Sequence, residues 1–519
     1  MARLPVPDIN SLLKLLALTI ILKYLHRFYY RSRYWPPGPR GLPILGNIFQ
    51  LPSFSWFAFT KWKAQYGPII SLNLAGQPMI VLNTAKVAGD LLSRRARIYS
   101  DRPPFIMARE ILTGGMSLVF ISYADPLSRW RRMRRATHEV LNVRSVEEYR
   151  SLQEVEAAHL VTNLLRSPDD WDYHFKRSAA STVLCVVYGW DPVGFNGDDI
   201  IEKINGQTHR LADALLPGAH LVEIFPIIKY LPPWIAKWKR EGLEWFVKDT
   251  KMFEDLLSEV NERRLFGNCP PCFASSLLEN QSRLKLEKEE AAWLTGVMFG
   301  AGSETTAAVL AVFLLAMVLH PEVMQKAQAE IDGIVGRDRI PTFRDFDKLP
   351  YIQAMVKEVL RWRTIAPLGI PRCTTESDWY EGYYIPKGAL VVANIWAMHR
   401  DPELFPDPDE FRPSRFLDAS GNINHMFADN VPLGHVTYGF GKRICSGLNL
   451  ANQSIFIDIA CMLWALDIDK ATDDRGNLIV PSSVDFIEGI VVRPAPFTCK
   501  IKARSGDVAA MLEHAKTGE

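Results

Sequence analysis

The chain has no surplus of charge: 60 lysines and arginines stand against 58 aspartates and glutamates, a net charge of +2. With 48% apolar residues, that balance excludes a disordered chain and a protein that coats nucleic acid through bulk charge. It also has no cysteine framework. Seven cysteines, at 185, 269, 272, 373, 445, 461 and 499, are odd in number and irregular in spacing. They exclude a disulfide scaffold and point to a reducing compartment. No repeat period or low-complexity tract is present, which excludes a solenoid. No second C-x-x-C completes a zinc site with Cys269-Pro-Pro-Cys272, so that stretch reads as part of a polar loop rather than a metal or redox centre. A convincing linker is missing too. Although 519 residues would suggest about three domains, the chain reads as one large α+β domain behind a distinct N-terminal segment.

That segment is what the chain does have in apolar runs. Residues 9–25, INSLLKLLALTIILKYL, are followed by His26-Arg27, Arg31 and Arg33. Seventeen helical residues span about 25 Å, slightly short of a hydrocarbon core of roughly 30 Å. Lys14 and Lys23 can snorkel towards the two interfaces. Tyr29-Tyr30 among arginines makes a poor cleavage site, so a signal peptide is disfavoured. The expectation is a single membrane-anchoring helix, with an interfacial amphipathic helix as the alternative. The downstream arginines place the bulk of the chain on the cytosolic side. Residues 35–43, WPPGPRGLP, read as a stiff hinge because proline fixes φ. The expected division is therefore an anchor and basic flank (1–34), the hinge (35–43) and one catalytic domain (44–519).

Residues 69–83 predict two short strands around a turn at Gly76-Gln77-Pro78, and residues 378–393 predict further strands, with GYYIPKG as a hairpin. From about 125 to 265 the pattern is mainly helical, with loops such as SPDDWD and YLPPW. Residues 264–290 read as the least ordered interior stretch. The longest periodic segment, 287–320, predicts a helix of about 50 Å. Within 291–319 the only charged residue is Glu304. A second membrane span would leave that carboxylate at the bilayer centre, which is costly. Its setting, Gly300-Ala301-Gly302-Ser303-Glu304-Thr305-Thr306, fits a site inside a protein core instead.

Residues 438–451, YGFGKRICSGLNLA, surround Cys445 with glycines and cations. A thiolate is a metal ligand, and nearby positive charge favours it. Gly441 permits a tight turn, and Gly447 would allow a flat cofactor close to the backbone. Arg443 can supply charge to an anionic group beside the cysteine. The stretch fits F-x-x-G-x-R-x-C-x-G everywhere except at the first position, where Tyr438 stands.

On these residues the chain resembles the cytochrome P450 family, of the fungal microsomal type, over essentially its whole length. The resemblance implies the P450 fold, a large helical domain with small β-sheets, and haem b with Cys445 as its axial thiolate. Tyr438 replaces a phenylalanine ring that lies beside the sulfur. Glu358-Val359-Leu360-Arg361 and Arg415 in FRPSRF resemble the family's Glu-Arg-Arg triad, whose role is structural. RWRRMRR (129–135) carries five arginines. Trp130 and Arg134 share a helix face, and the resemblance gives them, with Arg372, the role of binding haem propionates. Arg131, Arg132 and Arg135 then remain for docking an acidic redox partner. AGSETT matches the oxygen-activation motif. It implies Thr305, bonded back to the Ala301 carbonyl, as the residue that positions protons for dioxygen, and Glu304 as the relay. Gly302 would leave room for dioxygen.

The implied activity is insertion of one oxygen atom into a hydrophobic small molecule such as a terpenoid, polyketide or aromatic, often in secondary metabolism. Electrons would come from NADPH through a separate cytochrome P450 reductase. The implied location is the endoplasmic reticulum membrane, single-pass, with no nucleic-acid partner. Pocket residues are expected in the 103–118 loop, at Phe299 and Ala301, at Ala366 and Leu368, and around Ile487. The alternatives are a reductase-independent haem-thiolate isomerase or dehydratase, and a non-catalytic haem-binding protein.

Overall fold

The computed structural model describes residues 34–192, 198–216, 218–424 and 431–516. It also describes Lys14, Leu15, Leu18, Thr19, Leu22, Lys23 and His26. The rest of the expected anchor, 9–25, lies outside the described residues. Its described positions are helical, and the Thr19 hydroxyl donates to the Leu15 carbonyl at 2.7 Å.

The longer helices are α1 (Ser55–Tyr66), α2 (Arg129–Leu141), α3 (Arg150–Arg166), α4 (Trp171–Tyr188), α5 (Asp198–Ala214), α6 (Lys237–Leu265), α7 (Phe273–Leu284), α8 (Lys288–Leu319), α9 (Pro321–Ile334), α10 (Pro350–Trp362), α11 (Leu448–Ala465) and α12 (Val508–Lys516). A four-stranded sheet has the order β1-β2-β6-β3, from β1 (Ile69–Leu74), β2 (Gln77–Leu82), β3 (Arg372–Cys373) and β6 (Leu390–Ala393). Between them in sequence, β4 (Asp378–Tyr380) and β5 (Tyr383–Ile385) form a separate hairpin.

The central element is α8. Its N-terminus is closed by a reciprocal cap in which Glu287 and Glu290 each accept the other's backbone N–H. Ala, Val, Leu and Phe fill its second half, which is buried against α4, α9, α10 and α11. This explains why a helix apolar enough to cross a membrane is mostly covered by protein; α11 meets the same description. Gly302 lies where α4 crosses closest. An added Cβ there would come within 2.8 Å of Val183. The glycine thus serves helix packing, and it does not line the space expected to hold dioxygen.

Several local expectations shift. The first hairpin turns at Ala75-Gly76, both at positive φ, one residue earlier than expected, because a two-residue turn matches strand twist. The second turns at Glu381-Gly382, at the very start of GYYIPKG rather than within it, with Tyr380 paired to Tyr383. SPDDWD is not a plain loop, since α4 begins at Trp171. The stretch expected to be least ordered contains α7, which buries Phe273, Ala274 and Leu277 and starts from a Cys272–Ser275 capping box. The Pro-rich stretch is docked rather than free: the Pro36 and Pro37 carbonyls accept hydrogen bonds from the Ser71 hydroxyl and N–H, at 2.5 and 2.9 Å. A side chain at Gly38 would collide with the Ser71 carbonyl.

Candidate active site

The loop 438–447 is folded by its own backbone. The Cys445 N–H donates to the Tyr438 carbonyl at 2.9 Å, and the Ile444 N–H to Gly441 at 3.1 Å. Gly441 has φ +53, and a Cβ there would strike the Leu92 carbonyl, so only glycine fits. The Gly447 N–H donates to the Cys445 sulfur. At Gly447 itself an added Cβ would meet no protein atom.

Behind the loop, Glu358 and Arg361 are fully buried and form a two-point ion pair, Nε–Oε2 2.6 Å and Nη2–Oε1 2.8 Å. Arg415 Nε adds a 3.1 Å bond to the same carboxylate. The chain of bonds continues to the loop. Arg361 Nη1 donates to the His399 carbonyl at 2.9 Å, and His399 Nε2 accepts the Val436 N–H at 2.9 Å. Burial, with nearby cations, holds His399 well below its usual pKa, which keeps the ring neutral and Nε2 free to accept. His399 was not singled out in the sequence, because a lone histidine there has no motif around it.

Cys445 is enclosed by protein, and its accessible face opens only inward, onto a cavity of about 310 Å³. Trp130, Arg134, Ala301, Thr305, Ala366, Leu368, Arg372, Tyr438 and Arg443 line the same cavity. Burial raises the Cys445 thiol, while the Gly447 N–H and Arg134 pull it down. Protein alone therefore leaves the thiol neutral, and a bound cation is needed to hold the thiolate. The Tyr438 hydroxyl donates to Asn452 Oδ1 at 2.8 Å. Burial first and Cys445 second push its pKa up.

One edge of this cavity is strongly basic. Arg372 donates to the Phe440 and Leu92 carbonyls, and Arg443 to those of Ser100, Leu118 and Ile121. Arg443 also stacks over Trp130, 4.7 Å from its ring centre. Arg102, not anticipated, donates to the Val119, Ile370 and Pro371 carbonyls. Burial and mutual repulsion lower Arg102 and Arg372 to about 9 and Arg443 to about 8. Arginine does not give up its proton in proteins, so these buried, mutually repelling cations favour an anionic ligand beside them. The Arg134 side chain makes no hydrogen bond or ion pair to a described residue, while its carbonyl accepts from the Thr137 hydroxyl at 3.3 Å. Apolar walls, a cysteine on one face and cations at one edge fit a flat group that carries a thiophilic metal and carboxylates.

A second cavity of about 670 Å³ adjoins the first, and Ala301 and Thr305 line both. The Thr305 hydroxyl donates to the Ala301 carbonyl at 2.7 Å, and α8 stays helical through this turn. Glu304 faces only the larger cavity, alongside Asp172, Lys176 and Arg493. Asp172 pairs with Arg493 and with Lys176. Ser117, Ile370 and Ile487 line it as well. Phe299 does not: it is fully buried in the core, and Gly300 takes the expected position. The wall supplied by α5, including Asn205, Gln207, Thr208 and Leu211, was missed. The arginine-rich helix also departs from expectation. Arg132 is held by Glu290 at 2.7 and 2.9 Å, so only Arg131 and Arg135 remain exposed.

The family model described as Cytochrome P450 matches residues 36–501. Cytochrome P450 monooxygenase 58 of Postia placenta is 57% identical, over 92% of this chain and 90% of that protein. A cytochrome P450 monooxygenase of Armillaria gallica is 46% identical over 96% of each, and cytochrome P450 monooxygenase claR of Ampulloclitocybe clavipes is 35% identical over 98% and 94%. The chain belongs to the cytochrome P450 family. It is an enzyme, a cytochrome P450 monooxygenase, and membership implies a haem-thiolate iron cofactor.

Proposed function

We propose that the protein inserts one atom of dioxygen into a hydrophobic small molecule, a secondary metabolite such as a terpenoid, polyketide or aromatic. Its electrons come from NADPH by way of a membrane-bound cytochrome P450 reductase. The observation that carries this reading is the junction at Ala301 and Thr305, where the cysteine-lined cavity meets the larger one. A substrate in the larger cavity would reach the haem past the shared wall, to which Val119 and Ile370 also contribute. Bound haem supplies dioxygen activation and the oxidising power.

The residues around it have separable tasks. Cys445 would hold the haem iron through its sulfur, whose charge the Gly447 N–H would temper. Tyr438 and Gly441 hold the cysteine loop in place. Trp130, Arg134, Arg372 and Arg443, which line one cavity, would hold the propionates with hydrogen bonds, charge-assisted from the arginines. Thr305, its hydroxyl anchored on the Ala301 carbonyl, holds a proton donor beside the haem. Glu304 passes protons from the polar side of the larger cavity to Thr305. Arg131 and Arg135, with Lys442, offer a basic face to the reductase.

Residues 1–34 act as a single-pass anchor in the endoplasmic reticulum membrane, with 44–519 as the cytosolic catalytic domain. In support, Leu15, Leu18 and Leu22 are 62%, 52% and 56% exposed. Leu221, Phe225, Ile227, Tyr230, Trp234 and Ile235 form a further exposed apolar stretch suited to a lipid surface. The test is co-expression with a reductase under isotopically labelled dioxygen. One labelled oxygen per product, dependent on NADPH, is expected. Product formed without NADPH and reductase, carrying no label, would favour the isomerase reading.

A further inference from the structure

Cys269-Pro-Pro-Cys272 lies outside both cavities, where α6 hands over to α7. Cys272 is 3% exposed, and its sulfur accepts the Ser275 N–H at 3.4 Å. Ser275 returns the bond, its hydroxyl oxygen accepting the Cys272 N–H at 3.0 Å. A thiol is a weak acceptor, and serine or aspartate does this capping task better. Capping alone therefore does not account for a cysteine here. Cys269 is only half-covered; its thiol donates to the Pro270 carbonyl at 3.4 Å, near enough to Cys272 for the two sulfurs to interact electrostatically.

The surroundings favour sulfur exchange. Two prolines fix φ between the cysteines, so the folded chain holds the two thiols close. Cys272 is fixed at the start of a twelve-residue helix. Arg263 and Arg264, at the end of α6, add cations close to Cys269. The base on which the turn rests is rigid. Gly189, closing α4 at φ +63, faces Pro270 and the Cys272 sulfur, and Arg263 binds the Gly189 and Tyr188 carbonyls at 2.7 and 2.6 Å. A metal is not proposed, because among the described residues no group of three His, Cys, Asp or Glu could hold one.

We propose that Cys269 and Cys272 form a reversible dithiol–disulfide site in the folded enzyme, closed by disulfide-class oxidants such as glutathione disulfide. The partly exposed Cys269 thiolate attacks glutathione disulfide, forms a mixed disulfide and releases one glutathione thiolate. The Cys272 thiolate then attacks the Cys269 sulfur and releases the second. Two protein thiols are oxidised, one glutathione disulfide is reduced to two thiols, and the two protons end on glutathione. Burial and the neighbouring Cys272 keep the Cys269 thiol above its usual pKa. Closure therefore accelerates as pH rises, about tenfold per unit while Cys269 remains mostly protonated.

The test uses the haem-loaded full chain, equilibrated with mixtures of reduced and oxidised glutathione, then alkylated, digested and weighed. The expected result is a 269–272 peptide lighter by two hydrogens that reopens in excess reduced glutathione. Cys272→Ser should instead leave a stable glutathione adduct on Cys269, and Cys269→Ser should abolish the reaction. Serine is a good N-cap, so both variants retain α7; an unchanged reduced-CO spectrum checks their integrity. A stable adduct on wild-type Cys269, or a 269–272 pair that stays fully alkylatable at every ratio, overturns the proposal.

Discussion

The two cavities share Ala301 and Thr305, yet they are built in different ways. The smaller one depends on short-range sequence. A ten-residue loop folds on its own carbonyls around Cys445, and a buried chain of bonds from Glu358 through Arg361 and His399 to Val436 fixes that loop from behind. The larger one has no such frame. Its walls come from the 117–120 loop, α4, α5, α8 and the 487–496 segment, which meet only after the chain has folded. The contrast implies that the haem side tolerates little change, while the substrate side can vary without loss of the fold.

The severest way to break the rigid side is Glu358→Ala. It leaves Arg361 buried without its carboxylate, a loss of about 3–5 kcal/mol, and no haem-loaded protein should be recovered. Folded, haem-containing Glu358→Ala in thermal unfolding would show that the triad does not hold the loop.

At the junction, Thr305→Ala should keep haem and substrate binding while product per NADPH falls on the order of 10²-fold and hydrogen peroxide rises. Thr305→Ser should restore coupling. Thr306 also lines the haem-side cavity, so the hydroxyl-retaining variant is a better control than Thr306→Val. An unaltered ratio of product to NADPH in Thr305→Ala would remove the proposed proton role.

Where α3 packs against α4 and α11, burial raises Glu156 on α3 to about 7, against its hydrogen bond from Ser181 on α4. Asp458 on α11 is raised in the same way. A carboxyl raised from 4.5 to about 7 is neutral in the fold where the unfolded chain is already ionised. Its stability contribution is therefore full below about 4.5 and lost as pH rises through about 7, on the order of 3 kcal/mol at 1.36 kcal/mol per unit. Glu156→Gln should flatten the profile of melting temperature against pH in that window. An unchanged slope would mean that Glu156 is not the titrating group.

On the variable side the smallest effect is expected. Leu211→Ala removes part of the α5 wall and should weaken substrate binding by about 10-fold, within the 1–3 kcal/mol range for apolar pocket contacts. Haem content should be unaffected. A substrate titration that reads the same in wild type and variant would place the substrate elsewhere.

The same contrast explains what could be read from the sequence. The cysteine loop, the Glu358–Arg361 pair, the long α8 and the Thr305–Ala301 bond are set by spacings within a few residues or by one helical period, whereas Arg415 came from the family resemblance. Phe299, Gly302 and Arg132 were misplaced because their surroundings come from distant segments: the core around α4, Val183 and Glu290. The α5 wall and Arg102 were missed for the same reason. α7 was hidden by its Pro-Pro and Asn-Gln-Ser composition, although Cys272 and Ser275 cap it and Phe273 and Leu277 bury its inner face.

The central claim is that Cys445, among seven cysteines, carries the iron. The most direct measurement is the absorption spectrum of the reduced, CO-bound protein beside Cys445→Ala and Cys461→Ala. The account predicts the red-shifted Soret band of thiolate ligation in wild type and Cys461→Ala, and its loss in Cys445→Ala. A Cys445→Ala protein that keeps the band would contradict it.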